Sequence, residues 1–115
     1  MSLFDRFRPK WQHSDPAVRA TGVRSLDDQT VLAQIAFEEP VEAVRLAAIE
    51  RLTDQRTLTR LACRSDSAAP AALRRLSDRS QLAAVALAAE RPEIRHLALE
   101  RIEDSVVLHR IATSD

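Results

Sequence analysis

The sequence predicts an all-α fold of four stacked helix pairs behind a short N-terminal capping helix. The first observation behind this is a pattern that returns four times: a leucine or isoleucine, one residue, an aspartate, three residues, a branched apolar residue, two residues, then an apolar residue and alanine. Its copies run from Leu26 to Ala36, Leu52 to Ala62, Leu76 to Ala86 and Ile102 to Ala112. Their aspartates step by 26, 24 and 26 residues (28 to 54, 54 to 78, 78 to 104), a period typical of stacked helical units. The second observation is composition. There is one glycine, no tyrosine, three Phe and one Trp, while Ala, Leu, Arg and Glu abound, which favours helix over sheet. The third is a set of columns at equivalent places. Gly22, Ala48, Ala72 and Ala98 form one small column, and Ala36, Ala62, Ala86 and Ala112 another. Val23, Ile49, Leu73 and Leu99, with Leu32, Leu58, Leu82 and Leu108, form the large ones. Small residues let helix axes approach closely, and large ones fill the seam.

The elements follow in order. Residues 1–14 form the cap: Leu3, Phe4, Phe7 and Trp11 lie on a short amphipathic segment interrupted by Pro9, and a terminal unit needs its outer apolar face covered. The four units are 15–39, 40–66, 67–90 and 91–115, together a single domain. First helices are expected at about 16–26, 41–52, 67–76 and 92–102, and second helices at about 29–38, 55–64, 79–89 and 105–113. In the second unit Val44, Ala48, Ile49 and Leu52 make the apolar stripe of a helix. Asp28, Asp54, Asp78 and Asp104 each precede a second helix and are expected as N-caps. The fourth unit carries no matching cap, so the bare last repeat is expected either to be covered by self-association or to continue into a longer protein of which this is the N-terminal part.

Charge and cysteine content narrow the function. Seventeen basic residues balance 17 acidic ones, so the whole molecule has no net attraction to nucleic acid or to an anionic membrane. A single cysteine, Cys63, excludes an internal disulfide framework and points to a reducing cytoplasm. No apolar run approaches membrane-spanning length. His13, His96 and His109 are widely spaced, and no His/Cys pair has zinc-ligand spacing. One glycine cannot build a phosphate-binding loop. Paired carboxylates such as Asp27-Asp28 and Glu103-Asp104 sit at expected helix ends, where capping accounts for them. The expectation is a protein that is not an enzyme, with no catalytic residues, no cofactor and no metal.

The strings Asp15-Pro16-Ala17-Val18-Arg19, Val44-Arg45-Leu46-Ala47-Ala48 and Ile94-Arg95-His96-Leu97-Ala98 resemble the HEAT-repeat signature in its short bacterial form, over about residues 15 to 113. The resemblance implies a right-handed α-α superhelix, with first helices on the convex side and second helices lining the concave side. It also implies that Arg19, Arg45 and Arg95 join a ladder with acidic groups of neighbouring units, an exposed anion site being the alternative. The third unit departs from the signature, with Ala68-Ala69-Pro70 where Val44-Arg45 stands in the second. More loosely, Lys10-Trp11-Gln12-His13-Ser14-Asp15-Pro16 is similar to the opening of large bacterial helical proteins of unknown function.

One surface signal stands out. Arg56, Arg60 and Arg64 fall at i, i+4 and i+8, a positive stripe on one helix face. His109 and Arg110 occupy the equivalent region of the fourth unit. These five are the candidate partner-binding residues. A stack of helix pairs builds a surface rather than a pocket, so the expected function is a protein-interaction scaffold for an acidic or amphipathic segment. The alternative is nucleic-acid binding through phosphate contacts of Arg56, Arg60 and Arg64, against which stand zero net charge and few aromatics.

Overall fold

A computed structural model describes residues 9–113 of the chain, and among these it is all-helical. A 3-10 turn at Lys10–Gln12 leads into α1 (Pro16–Val23), α2 (Gln29–Glu38), α3 (Glu42–Arg51), α4 (Gln55–Ala62), α5 (Ala68–Arg75), α6 (Arg79–Ala88) and α7 (Pro92–Thr113). Capping aspartates start most of the short helices. The Asp15 carboxylate accepts from Ala17 N at 2.9 Å, Asp28 from Thr30 N at 3.0 Å, Asp54 from Thr57 N at 3.2 Å and Asp78 from Ser80 N at 2.9 Å. Each satisfies an amide that the first helical turn leaves without a partner. Pro70 is the third residue of α5, where its missing N–H costs no helical bond.

The helices pack in two rows. In one, α1, α3, α5 and α7 each touch the next; in the other, α2, α4 and α6 do. The most extensive contacts join the rows across short turns, α2 to α3, α4 to α5 and α6 to α7. The core runs along both rows: Val23, Leu32, Val44, Ile49, Leu52, Leu58, Leu61 and Val85 are fully buried, with Ala36, Ala48, Ala62, Ala72 and Ala98 between them. The column of Gly22, Ala48, Ala72 and Ala98 is thus buried in all four units, whereas in the other Ala36 and Ala62 are buried, Ala86 is half-buried and Ala112 is exposed. Gly22 packs more tightly than any alanine could, since a Cβ there would lie 2.5 Å from both Lys10 Cβ and Trp11 N. The glycine lets the 3-10 turn press onto α1. Trp11 packs against the core from that turn, while Leu3, Phe4 and Phe7 of the expected cap lie outside the described residues.

The fourth unit corrects the expectation of four helix pairs. Residues 92–102 and 105–113 do not form two helices. They fuse into α7, 22 residues long, so Asp104 lies inside a helix and caps nothing. Local sequence contributes to the fusion: Glu103 stands where Thr53 stands in the second unit, and Glu is the better helix former. The neighbours contribute more. The break at Leu52-Thr53-Asp54 is held open from both sides. Thr53 N donates to Gln29 Oε1 at 2.9 Å, and Leu52 O accepts from Arg75 Nε at 3.0 Å. At Ile102-Glu103 the residue equivalent to Gln29 and Gln55 is Arg79, which has no acceptor to offer. Continued helical hydrogen bonding wins there.

Arginines recur at two registers, and the structure gives each a role. Arg19, Arg45 and Arg95 turn back onto the chain just before their own helices. Arg45 donates to Glu39 O at 2.9 Å and Pro40 O at 3.0 Å; Arg95 donates to Ala89 O at 2.7 Å and Glu90 O at 3.3 Å. Arg19 does the same to His13 O and Ser14 O, and alone adds a carboxylate, Glu39, at 2.8 Å. The expected acidic ladder is therefore realised once. Elsewhere the guanidinium satisfies carbonyls that the helix terminus leaves open, a favourable position for a cation. The ladder between units is carried by a different column. Arg51 donates to Leu26 O at 3.2 Å, Arg75 to Leu52 O at 3.0 Å, and Arg101 to Leu73 O and Leu76 O.

Candidate functional site

The sequence-predicted arginines lie on and just beyond α4. Arg56 and Arg60 are exposed on the helix, whereas α4 ends at Ala62 and Arg64 follows in the turn. The stripe is therefore not a straight row of three on one helix. Its two later members converge on a neighbour instead. Arg60 places its guanidinium carbon 4.7 Å from the centroid of the Phe37 ring, and Arg64 places its own 5.7 Å away. Phe37 belongs to α2 and is half-buried against the core. Attraction between a guanidinium and an aromatic face is worth roughly 0.5–1 kcal/mol at an exposed site, enough to hold two like charges side by side.

Their neighbours differ. Arg64 makes an ion pair with Asp66 at 3.1 Å. Among the described residues neither Arg56 nor Arg60 forms an ion pair with a carboxylate. Asp54 is occupied by Thr57, whose hydroxyl and amide hold its carboxyl below the usual aspartate range, with a smaller contribution from Arg56. Asp78 is lowered in the same way by the Ser80 hydroxyl and amide.

Next to α4, α6 presents a contrasting surface. Helices α4 and α6 pack side by side, linked by the Thr59 hydroxyl to Gln81 Oε1 at 2.8 Å and by Glu90 N to Cys63 O at 3.1 Å. Position for position, Gln34, Arg60 and Ala84 correspond, as do Phe37, Cys63 and Leu87. Phe37 is covered by Arg60. Leu87 is 86% exposed, the most exposed large apolar residue of the described chain. The row thus carries guanidinium groups on α4 and, on the neighbouring α6, the half-buried Ala84 and the exposed Leu87 and Ala88. Cys63, between the two, has its thiol pushed up by burial first and by the Glu90 carboxylate second. That is the opposite of what nucleophilic activation needs.

His109 and Arg110 are exposed on the last turns of α7. The separate second helix expected to carry them does not form. Among the described residues no cluster of three or more His, Cys, Asp or Glu is placed to hold a metal ion, and no helix is long and apolar enough to cross a membrane. Sequence reading missed Phe37 as the anchor of the arginine pair, the exposure of Leu87 on α6, and the Arg51, Arg75, Arg101 column. That last signal was in view: each arginine stands directly before Leu52, Leu76 or Ile102. No protein-family model, curated protein or solved structure matches this chain.

Proposed function

We propose that this chain is a non-catalytic, cytoplasmic HEAT-like solenoid module that binds an acidic amphipathic segment of a protein partner along the row of α2, α4 and α6. The solenoid part is supported by the repeat period, by the two rows of helices, and by dimensions of 64 × 31 × 19 Å with a radius of gyration of 16.9 Å. A compact domain of this length would have a radius of about 13 Å. The cytoplasmic part rests on Cys63 being the single, free thiol. Two observations on neighbouring helices carry the binding reading: Arg56 and Arg60 of α4 are exposed and without a carboxylate partner, and Leu87 of α6 is 86% exposed. An amphipathic helix with acidic and leucine faces matches both features at once.

The test is fluorescence anisotropy with a labelled helical peptide of about 20 residues, long enough to span ~30 Å, carrying glutamates on one face and leucines on the other. Binding is expected, weakened by Arg60→Glu and by Leu87→Asp, and absent for a peptide with lysines in place of the glutamates. Equal binding by wild type and Arg60→Glu would sink the proposal. Labelled DNA and RNA form the second arm. Affinity that falls steeply with salt and vanishes in Arg60→Glu would favour the phosphate-binding reading instead.

A further inference from the structure

The outer face of α7 stands apart from the peptide-binding row and can be judged by comparison with the helices before it. The seam between α3 and α5 is lined by Leu46, Ile49 and Glu50 of α3 and by Ala71, Arg74 and Arg75 of α5. The Ile49 side of each first helix therefore faces the next unit. In that column Val23 and Ile49 are fully buried and Leu73 is 4% exposed, but Leu99 of α7 is 50% exposed. The fusion of α7 lengthens this open side. Val107 and Ile111, 52% and 65% exposed, stand at steps of four from Leu99 with Glu103 between, so all four share one stripe. The opposite side, through Ile94 and Ala98, is buried.

The charges on this side are sorted along the helix. Glu100, which His96 contacts at 3.0 Å within the same helix, and Glu103 lie toward its middle, and Arg110 lies toward its end. In an antiparallel pair centred on Ser105, Leu99 of one copy meets Ile111 of the other, and Glu103 lays its methylene stem over Val107. Glu100 meets Arg110, twice by symmetry. Arg110 keeps its contacts within its own chain in this arrangement, because a guanidinium has five N–H donors. A parallel pair would instead set Glu103 on Glu103 and Arg110 on Arg110, which repel. The geometry points to a second copy of this chain, packed antiparallel along α7, as the occupant of this face. The matched stretch from Leu99 to Ile111 is about 18 Å long. One helix strip of that length covers less than the ~800 Å² per partner of a standard interface, so the association depends on concentration.

Sedimentation equilibrium on the full chain tests this. The average mass is expected to rise from 12.9 kDa toward twice that value across the micromolar to millimolar range. Ile111→Asp is expected to leave a monomer. Glu100→Arg and Arg110→Glu should each weaken association about two- to tenfold, two symmetry-related exposed ion pairs being lost. The double variant should recover it, which keeps the test informative even if Ile111→Asp perturbs the helix end. A monomer at every concentration overturns the inference, as does a double variant no tighter than the singles. Arg60→Glu should leave self-association unchanged, so failure here and failure of the peptide-binding proposal are separable.

Discussion

The second and fourth units carry the same pattern and fold differently. In the second, Leu52-Thr53-Asp54 breaks the chain into α3 and α4. In the fourth, Ile102-Glu103-Asp104 runs through the middle of α7. Both triplets end in an aspartate able to cap, so the local signal for a break is present in each. What separates them is outside help. Gln29 from the unit before and Arg75 from the unit after bond the turn at Leu52-Thr53, and Gln55 and Arg101 do the same at Leu76-Ser77. At Ile102 the earlier unit offers Arg79, a donor where an acceptor is needed, and no later arginine reaches it among the described residues. The turns at Leu52 and Leu76 are therefore joint properties of three units. The consequence shows in burial as well: Ile49 is sealed and its counterpart Leu99 is half open.

Several substitutions would break or sharpen this contrast, and the largest effect is expected in the core. Leu58→Ala should cost about 2–5 kcal/mol in urea unfolding, since Leu58 is fully buried and truncation leaves a cavity. Leu99→Ala should cost far less, and equal costs would mean that the fourth unit is as well packed as the second. Gly22→Ala should come next, at about 1–3 kcal/mol, because the new Cβ meets Lys10 and Trp11 at 2.5 Å. Trp11 is the sole tryptophan, so its fluorescence should shift as the 3-10 turn lifts off α1.

Smaller effects concern the turns. Gln55→Leu removes the acceptor for Ser77 N and Asp78 N, at 3.0 and 3.2 Å, and should cost about 1 kcal/mol. Arg79→Leu at the equivalent place should be nearly neutral. Caps give the smallest signal, read best against pH. Hydrogen bonds from Thr57 and Ser80 hold the Asp54 and Asp78 carboxyls below their ordinary value of 3.8. As pH falls, the unfolded chain takes up these protons first. The stabilisation is thus complete above about pH 5 and is lost as pH drops through the unfolded and then the lower folded values. Asp54→Asn with Asp78→Asn should flatten the acid limb of a stability–pH curve. At neutral pH, Asp104→Asn should change stability little, because Asp104 caps no helix.

Much of this was legible in the residues. The period, the alanine columns and the capping roles of Asp28, Asp54 and Asp78 follow from local chemistry that each helix start repeats. The α4 arginines were visible as a cluster but not as a site. That Arg60 and Arg64 settle on Phe37, 23 and 27 residues earlier in the chain, depends on how α2 lies against α4. Exposure of Leu87 likewise could not be read from its spacing, since Phe37 and Cys63 at the same position are half-buried.

By itself the sequence determined that the chain is helical, where most helices begin, and which face of each turns inward, because propensity, capping and apolar spacing act within a few residues. Only the tertiary structure decided whether a capping signal becomes a turn. A break in a helix exposes carbonyls and amides that must find partners, and here those partners come from units about 25 residues away. Where they arrive, at Leu52 and Leu76, the chain turns. Where they do not, at Ile102, it stays helical and leaves an open face.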